Sequence, residues 1–313
     1  MKESEKLMRQ AAVLIAALLA AAPLAAQAGL GSDTQQFSSS RNPYVVKGDQ
    51  AYSRRQEGRI GAVADGRPIA EAIAAYQTAA EAADNLEARW KLLRAFYFKG
   101  VYTGLDPDSR LAVFVRARHV SEDLLAILAR KAGRHDWPDL GSLPPASRAE
   151  LLGRSPDAAP SFYWAAACVG QWALSVGKIQ AVTAGAAEFI RDNAATVIAI
   201  DPQFEDGGGY RVLGRLHDEA PEIPFLTGWV SREEALKNLR LAVSIDGKNF
   251  ANRHFLAEAL AKGTPAEVAE AIAIEEKLLK DGPSPQHLVE DLFVQEQARA
   301  DLEKWRKGDK SQS

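Results

Sequence analysis

Apolar residues recur along most of the chain at spacings of three and four, and alternation long enough for a strand is absent. From about Gly48 onward Ala-, Leu- and Glu-rich segments dominate, which predicts an all-α protein. The periodicity places helices near 48–57, 68–83, 85–99, 109–132, 159–175, 177–200, 208–219, 231–244, 249–262, 265–280 and 286–306. Ser147 with Glu150, and Ser231 with Glu234, read as capping boxes, in which hydroxyl and carboxylate each satisfy a backbone N–H. Thr264, Pro265 and Glu267 combine such a box with proline at the first helical position. Asp201-Pro202 and Ser284-Pro285 mark two more starts, and Gly100 and Gly263 fall where helices should stop. Gly133–Pro160 reads as a structured loop with a short helix after Ser147. Residues 29–47, rich in Ser, Gln and Asn, read as a flexible lead-in, and 307–313 as a polar tail.

Three stretches carry a finer pattern. Tyr76–Gly100 has small residues at helical spacing, a polar break at Asp84-Asn85 and the ending "RAFYFKG". "VIAIDPQF" (Val197–Phe204) and "AVSIDGKNF" (Ala242–Phe250) match one another, with Asp201 and Asp246 standing 45 residues apart. Together they resemble tetratricopeptide repeats, in which two antiparallel helices of ~34 residues pack through small residues. The resemblance implies a stack of antiparallel helix pairs with degenerate repeats over 48–306, able to enclose a cavity or pore. A single hairpin cannot bury its apolar face alone, so neighbours must stack.

Composition adds boundaries rather than detail. The 313 residues are 47% hydrophobic and 25% charged, ordinary for a globular domain. A net charge of −3 with no basic patch argues against nucleic acid as a partner. The N-terminus reads as a secretory signal peptide: Lys2, Lys6 and Arg9, then "AAVLIAALLAAA", then Ala26-Gln27-Ala28. Cleavage after Ala28 would make the mature charge one unit more negative. Cys168 is the single cysteine, so neither a disulfide framework nor a lipid-bearing cysteine after the cleavage point is expected, and the protein reads as periplasmic.

The second half suggests a narrower kinship. "DGGGYRVLGRLHDEAPEIPF" (Asp206–Phe225) is followed by "SREEALKNLRLAVSIDGKNFANRHFLAEALAKG" (Ser231–Gly263). With "SFYWAAACVGQWALSVGKIQAV" (Ser161–Val182) and "GDQAYSRRQEG" (Gly48–Gly58), these resemble the T component of tripartite ATP-independent periplasmic (TRAP) transporters. That resemblance covers roughly 48–305. It implies a periplasmic solute-binding protein as partner and a hydrophobic or organic-acid ligand. Many relatives are lipoproteins, and this chain lacks their cysteine.

No catalytic constellation stands out, and a non-enzymatic role is expected, with no cofactor and no metal. The five histidines His119, His135, His217, His254 and His287 lack paired metal spacing. "GGG" at 207–209 lacks the Lys of a phosphate loop and reads as a turn. Glu275-Glu276 reads as a solvated face. Candidate ligand-binding residues are Tyr163, Trp164, Trp172, Tyr210, Arg211, Trp229 and Arg253. Trp164, Cys168 and Trp172 form one helical stripe, which suits either core packing or an aromatic cavity wall. Arg211 and Arg215 share a face with Asp218, as an exposed ion pair or with Arg211 turned inward to a ligand carboxylate. Trp229 could clamp a helix entrance, and Arg253 could line the concave face or solvent. A transporter-associated subunit is the leading reading. A periplasmic scaffold for envelope assembly is the alternative, and stacked repeats allow homo-oligomers.

Overall fold

The computed structural model describes residues 42–309, so the segment read as a signal peptide, most of the stretch read as a lead-in and residues 310–313 lie outside the described residues. Among the described residues there are fourteen helices and no strand beyond a bridge between Ile60 and Val63, in keeping with the all-α reading. They are α1 (Pro43–Ser53), α2 (Gly66–Ala82), α3 (Leu86–Tyr102), α4 (Pro107–Lys131), α5 (Trp137–Gly141), α6 (Pro145–Leu152) and α7 (Ala158–Val176). After these come α8 (Lys178–Thr183), α9 (Ala186–Ile200), α10 (Phe204–Glu219), α11 (Arg232–Ile245), α12 (Phe250–Leu260), α13 (Pro265–Lys280) and α14 (Leu288–Asp309).

Local chemistry sets most boundaries. Asn42, Asp65, Asn85, Asp106 and Asp136 each accept a backbone N–H at a helix start, caps worth about 1 kcal/mol apiece. Because Asn42 caps and Pro43 occupies the first turn, α1 begins inside the stretch read as a lead-in. Pro145 likewise starts α6, which leaves Ser147 within the helix rather than at its cap. The stretch read as one helix over 177–200 breaks at Gly185, whose φ is +76°. Thr264 and Glu267 close a complete capping box. Gly100 lies inside α3, where a side chain would strike the Phe114 ring.

Helices next to one another in sequence pack against one another along most of the chain, as in α2 with α3, α10 with α11 and α12 with α13. The short linkers between α2 and α3 and between α12 and α13 make those pairs antiparallel hairpins. The repeat is visible in its turns. Asp201 and Asp246 end α9 and α11 with nearly equal backbone angles, φ −152° and −138°. Each then accepts an N–H two residues on, Asp201 from Gln203 at 2.9 Å and Asp246 from Lys248 at 2.7 Å. Asn252 ties the two turns together, donating to the carbonyls of Asp206 (2.9 Å), Ala242 (3.0 Å) and Asp246 (3.2 Å).

One hydrophobic core runs through the stack. A string of edge-to-face rings crosses it: Tyr97 on Trp164 (6.0 Å), Trp164 on Tyr163 (5.2 Å) and Tyr163 on Phe204 (5.4 Å). The stack also closes on itself. Arg55, just past α1, pairs with Glu290 of α14 at 2.9 Å, with both side chains buried. Phe293 of α14 meets the Tyr102 ring of α3 at 5.4 Å. The last helix therefore covers the first layer.

Candidate functional site

Four helices, α7 to α10, surround a small half-open pocket. Its walls are small and aliphatic: Ala173 and Leu174 of α7, Ala181 and Val182 of α8, Ile190 of α9 and Leu216 of α10. The pocket follows from the break at Gly185, which turns α8 away from α9 and leaves short side chains facing a gap. Gly170 adds to it, since a Cβ there would meet nothing within 4 Å.

One end of the pocket is charged. Lys178, Arg215 and Glu219 line it, with Lys178 Nζ 2.7 Å from Glu219 and Lys262 Nζ 2.9 Å from Glu219. Burial alone would raise the Glu219 carboxyl, but Arg215, Lys262 and Lys178 outweigh it and hold it down at about 2. Arg215 is 2% exposed and reaches Asp218 (2.9 Å), Glu219 (3.4 Å) and Glu258 (2.9 Å), over the Phe255 ring.

The network continues behind Arg215. His254 Nδ1 lies 2.6 Å from Glu275, and its Nε2 lies 3.1 Å from Gln297 Oε1 and 3.6 Å from Glu258. Burial favours the neutral ring, yet the Glu275 and Glu258 carboxylates overcome it and raise the imidazole to about 9. His254, Glu258 and Asp301 bring metal-ligating atoms together here. Glu275 is thus fully buried rather than solvated, while Glu276 pairs with Arg306 nearer the surface.

The residues singled out from sequence do not form one site. Tyr163, Trp164 and Arg211 do meet: Arg211 is fully buried and donates to Tyr163 Oη (2.9 Å), Asn252 Oδ1 (2.7 Å) and the Glu205 carbonyl (3.1 Å). Arg211 has turned inward, as one of the two accounts had it, and these contacts pin the turn at 205–207. Arg215 with Asp218 is an ion pair but a buried one. Trp172 is 7% exposed beneath the Arg118 guanidinium (4.4 Å). Cys168 is buried, donates to the Leu93 carbonyl, and burial pushes its thiol well up. Tyr210 is half-buried beside Arg211. Trp229 lies ahead of α11 against His217 and Arg191. Arg253 pairs with Asp281 and covers Phe250.

Sequence reasoning missed Lys178, Glu219, Glu258 and Lys262. Two pairs, each spaced four apart on one helix, His254 with Glu258 and Arg215 with Glu219, left a signal in the sequence. No family model and no curated protein matches this chain. No described helix is long and apolar enough to cross a membrane.

Proposed function

We propose that this chain is a non-enzymatic, exported helical-repeat subunit that partners a TRAP-type solute-binding protein. In this reading it holds a small ligand with an aliphatic body and an anionic head between α7 and α10. The observation that carries the reading is the composition of the pocket wall. The two segments most like the T component supply most of it: Ser161–Val182 contributes Gly170, Leu174 and Lys178, and Asp206–Phe225 contributes Val212, Arg215 and Glu219. Aliphatic walls suit a hydrocarbon body. At the polar end a ligand carboxylate would share Lys178 and Arg215 with the carboxylates that already pair with them.

One feature is also compatible with the scaffold alternative, in which the partners are envelope-assembly proteins. Phe225 is fully exposed at φ +66°, with Leu226 exposed beside it. An apolar knob of this kind also suits docking of a solute-binding protein.

Affinity capture of the tagged protein from periplasmic extract, with mass spectrometry of proteins and small molecules, separates the two. Recovery of a TRAP solute-binding subunit with an organic acid supports the proposal; envelope-assembly proteins alone would overturn it. The pocket is tested by titrating octanoate into the purified protein. Gly170→Leu places a side chain in open space, so it should abolish octanoate binding while leaving stability equal or higher by up to about 1 kcal/mol through helix propensity. Unchanged octanoate affinity in that variant would remove the pocket from the reading.

A further inference from the structure

We infer that His254, Glu258 and Asp301, joined by Gln297, form a binding site for a divalent transition cation of the Zn²⁺ or Mn²⁺ type. The site stands apart from the apolar pocket and needs no partner protein. One ligand atom each from His254, Glu258 and Asp301 lies within 4.8 Å of the others. Donors around a tetrahedral ion at ~2.1 Å stand about 3.4 Å apart, so binding draws the three atoms together by up to about 1.4 Å, mostly by rotation of Asp301, the half-buried member.

The surroundings are those of a prepared ligand set. His254 is fully buried, and its Nδ1 faces the fully buried Glu275 at 2.6 Å. A carboxylate behind a ligating imidazole fixes the tautomer and turns Nε2 toward the ion. Nε2 then faces oxygen atoms: the Gln297 amide oxygen at 3.1 Å and the Glu258 carboxylate at 3.6 Å. Glu258 is 6% exposed and its Oε2 makes no hydrogen bond. Arg215 lies 2.9 Å from that atom as a charge partner, out of line for a hydrogen bond, and is shared with Asp218 and Glu219.

The donors are nitrogen and oxygen without sulfur, since Cys168 lies in α7 against Leu93. Such a set suits Zn²⁺ or Mn²⁺ rather than a soft ion such as Cu(I). The ligands come from α12 and α14 and the supporting Glu275 from α13, so an ion would clamp the last three helices.

The test uses the full-length mature protein, dialysed against chelator and titrated calorimetrically with ZnCl₂, MnCl₂, MgCl₂ and CaCl₂. One equivalent of Zn²⁺ or Mn²⁺ should bind, with Mg²⁺ and Ca²⁺ at least tenfold weaker. Glu258→Gln and Asp301→Asn should each weaken binding at least tenfold, and Glu275→Gln, which changes only the supporting carboxylate, by 10- to 100-fold. Cobalt(II) in place of zinc should give a visible ligand-field spectrum with nitrogen ligation. Absence of Zn²⁺ and Mn²⁺ binding, or binding indifferent to these substitutions, would overturn the assignment. If a variant fails to fold, the cobalt spectrum of the unaltered chain decides, because a spectrum without imidazole ligation also overturns it.

Discussion

Glu205 and Asp206 adopt φ of +51° and +56°, a region that costs a residue with a side chain roughly 1–2 kcal/mol. Gly207 follows at +81°, so three consecutive left-handed residues kink the chain within the first turn of α10. Hydrogen bonds offset the strain, from Arg211 to the Glu205 carbonyl and from Asn252 to that of Asp206. The turn carries the Glu205 side chain inward, where its Oε2 finds no hydrogen-bond partner and burial pushes the carboxyl up to about 7, against the pull of Arg94 and Arg211. An acid raised in the folded state keeps its proton longer than in the unfolded chain. Stability from this group is therefore whole below about pH 4.5 and falls as pH rises toward 7, by about 3 kcal/mol in all. Glu205→Gln should match the parent near pH 4.5 and exceed it at pH 8 by up to that amount in urea unfolding. A difference independent of pH would mean that Glu205 is ionised throughout. Asn252→Ala removes four hydrogen bonds, two of them fully buried, and should cost about 2–4 kcal/mol in the same assay. Of the "GGG" read as a turn only Gly207 takes positive φ, Gly208 and Gly209 being helical, and the strained residues are the two before it. That strain is offset in part by a helix 46 residues further on, whose Asn252 holds the Asp206 carbonyl.

At the scale of elements, glycine shows how far sequence reaches. Gly170 and Gly214 both lie within helices, and propensity alone predicts that alanine stabilises either by ~0.8–1 kcal/mol. Their surroundings differ. Gly214 faces α11, where a Cβ would sit 2.7 Å from Leu239 Cγ and 3.0 Å from its backbone nitrogen. Gly214→Ala should therefore destabilise by about 1–3 kcal/mol through overpacking, whereas Gly170→Ala should stabilise. Thermal unfolding of both variants checks the opposite signs. The caps were more readable: Thr264 with Glu267 forms the expected box, and Thr264→Ala should cost about 1 kcal/mol. Ser147 failed as a cap because Pro145 had already fixed the first turn.

At the scale of the molecule, closure matters most. Helix pairs that only contacted their neighbours would leave both end layers bare. Here Arg55 binds Glu290 and the Gln286 carbonyl, and Gln56 accepts from the Val289 N–H, so the ends seal one another. Arg55→Ala leaves Glu290 buried without its counter-charge and should cost about 3–5 kcal/mol. Hydrogen exchange should then speed up in α1 and α14 while α7 and α9 stay protected. Uniform loss of protection would show that closure holds the whole stack rather than its ends.

The sequence by itself determined the helices, the recurring turns at Asp201 and Asp246 and the burial of aromatics at helical spacing, because each depends on residues close along the chain. Trp164, Cys168 and Trp172 could be read as one stripe, and all three are buried. Only the tertiary structure decided which charges meet. Arg211 was a possible ligand contact until Asn252 and Tyr163, from two other helices, took its hydrogen bonds. Glu275 looked like part of a wet surface until α12 laid His254 against it. Periodicity tells which face of a helix is covered, but not what covers it. A buried charge is tolerable only where a partner distant in sequence arrives to meet it.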